Sequence, residues 1–177
     1  MQETTTSNWK IDPGHSNLQF KIKHMGIAYI MGIFNEFEGQ VTSNHEDFTD
    51  ASVTLQIDAT SINTNNKVRD EHLNSDFFFD TAQFPQINFQ GQLKKAVTDY
   101  ELDGELTIRD VINKIKLRAV LTGSGFGRWG DSRIGFELSG EINRKEYGLT
   151  FNVLTDAGGV IVGDVVKLQM DVELIKT

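Results

Sequence analysis

Apolar and polar residues alternate along most of this chain, the period of a β-strand with one face in water. Leu18, Phe20 and Ile22 alternate with Gln19, Lys21 and Lys23, and Phe37, Gly39 and Val41 share a face. Ala51, Val53, Leu55, Ile57 and Ala59 form a third series, and Ile87, Phe89, Gly91 and Leu93 a fourth. Leu102, Gly104, Leu106 and Ile108 follow, then Ile115, Leu117, Ala119 and Leu121. Phe136, Leu138, Gly140 and Ile142 precede a final run, Val166, Leu168, Met170, Val172 and Leu174. Eight such strands with mostly short connections predict an antiparallel meander. Closing it into one all-β, eight-stranded, lipocalin-like barrel removes the sheet edges. For the hairpin around "IRDVINKI", pairing Ile108 with Ile115 sets Leu106 opposite Leu117 inside and Glu105 opposite Arg118 outside.

Two stretches break the alternation. "NNKVRDEHLNSD" (65–76) predicts a short helix over about 65–75, of about two turns, near one mouth of the barrel. Residues 144–163 read as a long irregular connection with room for a further short helix. Directly after the first helix comes "SDFFFDTAQFPQINF" (75–89), with three consecutive phenylalanines. That run fits neither a half-wet strand nor an amphipathic helix. Phe77, Phe78, Phe79 and Phe84, with Leu73, are therefore expected to line or plug that mouth.

A barrel of this size is either filled by its own side chains or holds one small ligand. Gly39, Gly91, Gly104 and Gly140 fall on inward faces, and a glycine inside a strand destabilises it by roughly 0.5–1 kcal/mol relative to alanine. Their position suggests unfilled space along the axis; bulges needed for closure are the other reading.

Bulk composition narrows the function. The 177 residues suffice for one domain with a sizeable core, read here as a flexible tail 1–8 and a barrel 9–177. A net charge of −8 disfavours nucleic acid and anionic membrane as partners. The absence of cysteine excludes disulfide and thiolate chemistry. The start "MQETTTSNWK" has no apolar h-region and no long apolar run follows, so neither a signal peptide nor a membrane span is expected. That favours a cytoplasmic location, with a periplasmic one if a signal peptide was removed.

The four histidines, His15, His24, His45 and His72, have no metal-ligand spacing, so no metal and no cofactor are expected. The acids sit at strand period on outward faces, "GSGFG" (123–127) reads as a glycine-rich turn, and "AGGVIVG" lacks the lysine of a phosphate loop. No catalytic residue is assigned. A small lipid-modifying enzyme with a residue inside the pore, and a filled-barrel interaction module, stay open beside a binding protein.

Several motifs together resemble the YceI-like, polyisoprenoid-binding family. They are "WKIDPGHSNLQFKIKHMG" (9–26), "GIFNEFEG" (32–39), "INTNNKVRDEHLNSDFFF" (62–79), "FPQINF" (84–89), "DGELTIRDV" (103–111), "INRKEYGL" (142–149) and "IVGDVVKLQMDVEL" (161–174). Asp110 departs from a common glycine, and Tyr147 from a usual phenylalanine or tryptophan. The resemblance implies an elongated pore for an isoprenoid or other long-chain amphiphile, such as a fatty-acyl chain, with no established reaction. Homodimers occur among such proteins, which makes a dimer an expectation here.

The apolar wall expected to hold such a tail comprises Phe20, Ile22, Phe34, Phe37, Leu55, Ile57, Phe89, Leu106, Ile108, Leu117, Phe136 and Leu138. Leu73, Phe77 and Phe78 are expected at the mouth. His24, Arg69 and His72 are the candidate head-group donors, Arg69 foremost because its planar fork donates to phosphate or carboxylate in pairs.

Overall fold

A computed structural model describes residues 6–156, 159 and 161–177. The strands are β1 (Ser7–Ile11), β2 (Asn17–His24), β3 (Ala28–Phe34), β4 (Phe37–Ser43), β5 (Ala51–Asp58), β6 (Ile62–Asn63), β7 (Gln86–Lys95), β8 (Tyr100–Ile108), β9 (Val111–Phe126), β10 (Ser132–Asn143) and β11 (Val162–Lys176). One helix, α1, spans Lys67–Asn74, and a 3-10 turn spans Arg144–Tyr147 in the long connection.

All ladders are antiparallel, and the order β1-β4-β5-β7-β8-β9-β10-β11 closes through a β1–β11 pairing. The barrel therefore has eight staves, as the alternation predicts. Three staves are broken strands. β2 extends β1 along β11, β3 lies beside β2 as β4 lies beside β1, and β6 extends β5 onto β3. Ser7 and Asn8, placed in the tail by the sequence reading, pair with Ser43 and Thr42.

Two expectations need correction. The β8–β9 hairpin turns at Arg109-Asp110, so Ile108 faces Val111, Gly104 faces Ile115 and Leu102 faces Leu117. The expected register was four residues too wide. An even shift keeps every side chain on its face, which is why periodicity could not detect it. The left-handed position of this tight turn is Arg109, at φ 56°, and its guanidinium stacks over the Phe84 ring at 5.5 Å. On the outer face Glu105 now lies opposite Lys114, and Glu101 opposite Arg118.

The second concerns "GSGFG" and Leu121. Residues 123–126 continue β9 as one arm of a hairpin that runs past the barrel rim, with its turn at 127–131. A register shift beside Phe136 lies where this arm departs, and Leu121 ends up exposed rather than inward.

Candidate functional site

Inward side chains from all eight staves surround a cavity of about 530 Å³. One end is closed by aromatic packing. The 44–50 loop drives Phe48, at φ 60°, under the barrel. There its ring meets Trp9 at 5.3 Å and Phe136 at 5.7 Å, and Tyr100 meets Phe136 at 5.8 Å. The Tyr100 hydroxyl donates to the Asp47 carbonyl at 2.7 Å, so the buried phenol is satisfied.

At the other end the cavity reaches the surface between α1 and the segment after Leu149; His72 and Val153 both line it and are exposed. Local sequence builds this end. The Asn66 side chain caps α1 by accepting from the Arg69 backbone N–H at 3.0 Å, and Ser75 stops it by bonding back to the His72 carbonyl. The chain reversal that follows splits the phenylalanine run. Phe78 is buried in the wall, and Phe79 packs edge-on against Phe34 at 6.2 Å. Phe77 turns out to 57% exposure, and Phe84 leaves the mouth for Arg109.

Every residue of the expected apolar wall lines the cavity except Phe37, which packs against the core from outside the lining. At the mouth Leu73, Phe78, His24, Arg69 and His72 line it as well, while Phe77 does not. The remaining polar lining groups are Gln19, Thr64 and Arg144; no carboxylate lines the cavity among the described residues.

Arg69 forms no ion pair with Asp70 or Glu71. Its Nε donates to Thr64 Oγ1 and its Nη2 to the Thr64 carbonyl, each at 2.7 Å. Asp70 instead accepts from the Thr64 N–H at 2.9 Å and from the Thr64 hydroxyl. Buried Thr64 thus orients Arg69, whose Nη1 makes no hydrogen bond among the described residues. His72 is held in a cage of ring edges, with Phe151 at 5.0 Å, Phe78 at 5.2 Å and Phe77 at 5.7 Å.

Sequence reasoning missed Arg144, which is only 3% exposed. Its Nε donates to the Gly163 carbonyl at 2.8 Å, its Nη1 to those of Leu149 and Phe151, and its Nη2 to that of Val162 at 3.3 Å. Asp164 lies 3.6 Å away. Burial pulls the guanidinium below its ordinary pKa, yet four carbonyls surround it, so this cation fastens both roots of the mouth segment. A charge just past the end of an alternating strand carries no periodic signal; only its place in "INRKEYGL" marked it. The neighbouring Tyr147 is 1% exposed, and burial pushes its phenol up to about 12.

The inward glycines do not hold empty space. A Cβ on Gly91 would lie 2.3 Å from the Asp103 carbonyl oxygen, and one on Gly104 2.3 Å from that of Gln90, with the Phe89 ring over both. Ile11 covers Gly39, Leu117 covers Gly140, and Phe20 covers Gly32. Each glycine is a seat on which a neighbour's bulk lies flat against the wall. The open volume lies beside inward residues that stay only partly buried: Phe20, Ile22, Leu138, Ile142, Val166, Leu168 and Met170 on β2, β10 and β11, with Ile30, Phe34, Val53 and Leu55 on β3 and β5.

Two other features carry less chemistry. A concavity of about 510 Å³ on the outer face of β9, β10, β11 and β2 is lined by charges of both signs, as a solvated sheet face is. Asp12, His15 and Glu173 come close enough to hold a metal. There Arg133 already bonds Asp12 at 2.8 Å, Glu173 and Asp131, so a guanidinium supplies the positive charge.

A closed up-and-down barrel with an apolar interior and one polar-fringed mouth defines a protein of the lipocalin-like, cavity-bearing class. Residues 9–174 match the YceI-like domain, and the chain belongs to that family. UPF0312 protein SAB2563 of Staphylococcus aureus (strain bovine RF122 / ET3-1) is 35% identical over 168 residues, 94% of this chain and 96% of the relative. Burkholderia cenocepacia BcnA has the same fold, with TM-score 0.79 at 20% identity over 92% of this chain and 98% of that one. So does a polyisoprenoid binding domain from Saccharophagus degradans implicated in plant cell wall breakdown, with TM-score 0.68 at 16% identity over 96% and 98% of the two chains.

Proposed function

We propose that this barrel binds and carries or stores one long-chain amphiphile of the isoprenoid or fatty-acyl type, without catalysing a reaction on it. The observation that carries this reading is the cavity of about 530 Å³, apolar along its length apart from Gln19, with its other polar lining groups gathered at the mouth. Such a volume lies within the range of small-molecule sites. The tail runs along the β10–β11–β2 wall, and the head sits by Thr64, Arg69 and His72. With no carboxylate in the lining and one Arg69 nitrogen uncommitted among the described residues, this end suits a head group that accepts hydrogen bonds or carries negative charge. Burying a dozen methylenes at about 0.8 kcal/mol each supplies on the order of 10 kcal/mol, enough for micromolar binding after association costs. The name of the Saccharophagus degradans domain agrees with this ligand class.

The test is to denature the purified protein, extract it with organic solvent and analyse the extract by mass spectrometry, before and after incubation with a polyprenol and with a fatty acid. Stoichiometric retention of either is expected. Protein that stays empty in both cases refutes the reading.

A further inference from the structure

We propose that the rim of the open end is a docking surface for an uncharged, zwitterionic lipid bilayer, through which the cavity exchanges its occupant. The idea rests on the carrier reading above, but the rim residues argue for it separately. Three chain segments place exposed apolar side chains there: Met25 (44% exposed) and Ile27 (81%) at the β2–β3 turn, Phe77 (57%) after α1, and Val153 (48%) and Leu154 (68%) in the mouth segment. They are stitched into one surface. The Met25 N–H donates to the Ile161 carbonyl at 2.7 Å, the Ile161 N–H donates to the Val153 carbonyl at 3.1 Å, and the Phe77 ring meets Phe151 at 5.2 Å.

This apolar surface continues into the cavity, since Phe151, Val153 and Ile161 also line it. A soluble surface seldom gathers so much exposed apolar bulk in one place without a partner. A dry path is what a water-insoluble occupant needs. Each methylene that must cross water slows exit about fourfold, so a dozen slow it roughly ten-million-fold, and contact between rim and bilayer removes that barrier. The chain's net charge of −8 disfavours an anionic surface, and exposed charges of both signs beside the rim residues, Lys23, Asp76 and Asp156, match a zwitterionic one.

Flotation with phosphatidylcholine vesicles tests this, alongside the retained lipid measured by mass spectrometry. The wild-type protein is expected to float with the vesicles. I27D/L154D should float at least tenfold less while retaining lipid and melting near the wild-type temperature, because both positions are exposed. F126S/W129S alters a hairpin at the opposite end, where those residues are 81% and 86% exposed, and should float normally. Wild type that stays in solution overturns the proposal. So does equal loss in both variants, or a concentration-dependent dimer that I27D/L154D abolishes. Flotation by a protein that retains no lipid would sink the carrier reading and leave the docking surface standing.

Discussion

Replacing Arg144 by methionine tests how the mouth is held. The side chain keeps its length and loses the charge and all its donors, so the carbonyls of Leu149, Phe151 and Gly163 lose their arginine partner, while that of Val162 keeps the Asn152 side-chain amide at 2.8 Å. Hydrogen bonds from a charged donor contribute about 1.5–3 kcal/mol each. Simple addition overstates the cost, because carbonyls near the mouth regain water once the segment loosens. Leaving a buried carbonyl unpaired costs about 1–3 kcal/mol, and with part of the segment rehydrated we expect R144M to lose about 3–5 kcal/mol. For a chain of this size that lowers the melting temperature by roughly 6–20 °C. R144K keeps the charge but not the fork and should fall between the two. D164N should change stability by less than about 1 kcal/mol, since Asp164 is 42% exposed and 3.6 Å away. Urea unfolding of the four proteins, with the slope checked for constancy, gives these differences. An R144M midpoint within about 1 kcal/mol of wild type would refute the claim that this arginine fastens the mouth.

The seating of the glycines makes a graded prediction: G91A and G104A meet backbone carbonyls and should cost about 1–3 kcal/mol, whereas G140A meets chiefly the mobile end of Leu117 and should cost less than about 1; equal costs in denaturant melts would count against it. L138W points an indole into the cavity beside β10 and should cut retained lipid by at least half with little change in melting temperature; an overpacking loss of about 1–3 kcal/mol would mean the space is not there. Hydrogen bonding to Lys95 lowers Asp47 to about 2, hydrogen bonds from His15 and Arg133 hold Asp12 below the usual carboxylate range, and Lys94 and Arg133 do the same for Asp103 and Asp131. Their folded pKa values lie below the unfolded ones, so this stability is complete above about pH 4 and is lost as pH falls toward 2. Melting temperatures flat across that interval would contradict it.

The alternation by itself determined the eight staves, their antiparallel order and, Leu121 apart, which side chains face inward, because a strand's period is set by residues two apart on the same chain. The break in the alternation at 65–76 likewise marked α1. What crosses from one strand to the next was decided only by the tertiary structure. The tight turn at Arg109-Asp110 chose the β8–β9 register from several that keep the same faces, and barrel closure bent the first staves into β1–β2, β3–β4 and β5–β6. Three neighbouring phenylalanines are equivalent in sequence, yet the reversal after α1 sent Phe78 inward and Phe77 out. Arg144 and the mouth depend on four carbonyls from a segment up to nineteen residues away. No local pattern encodes that, because a buried cation is stable only where distant backbone converges on it.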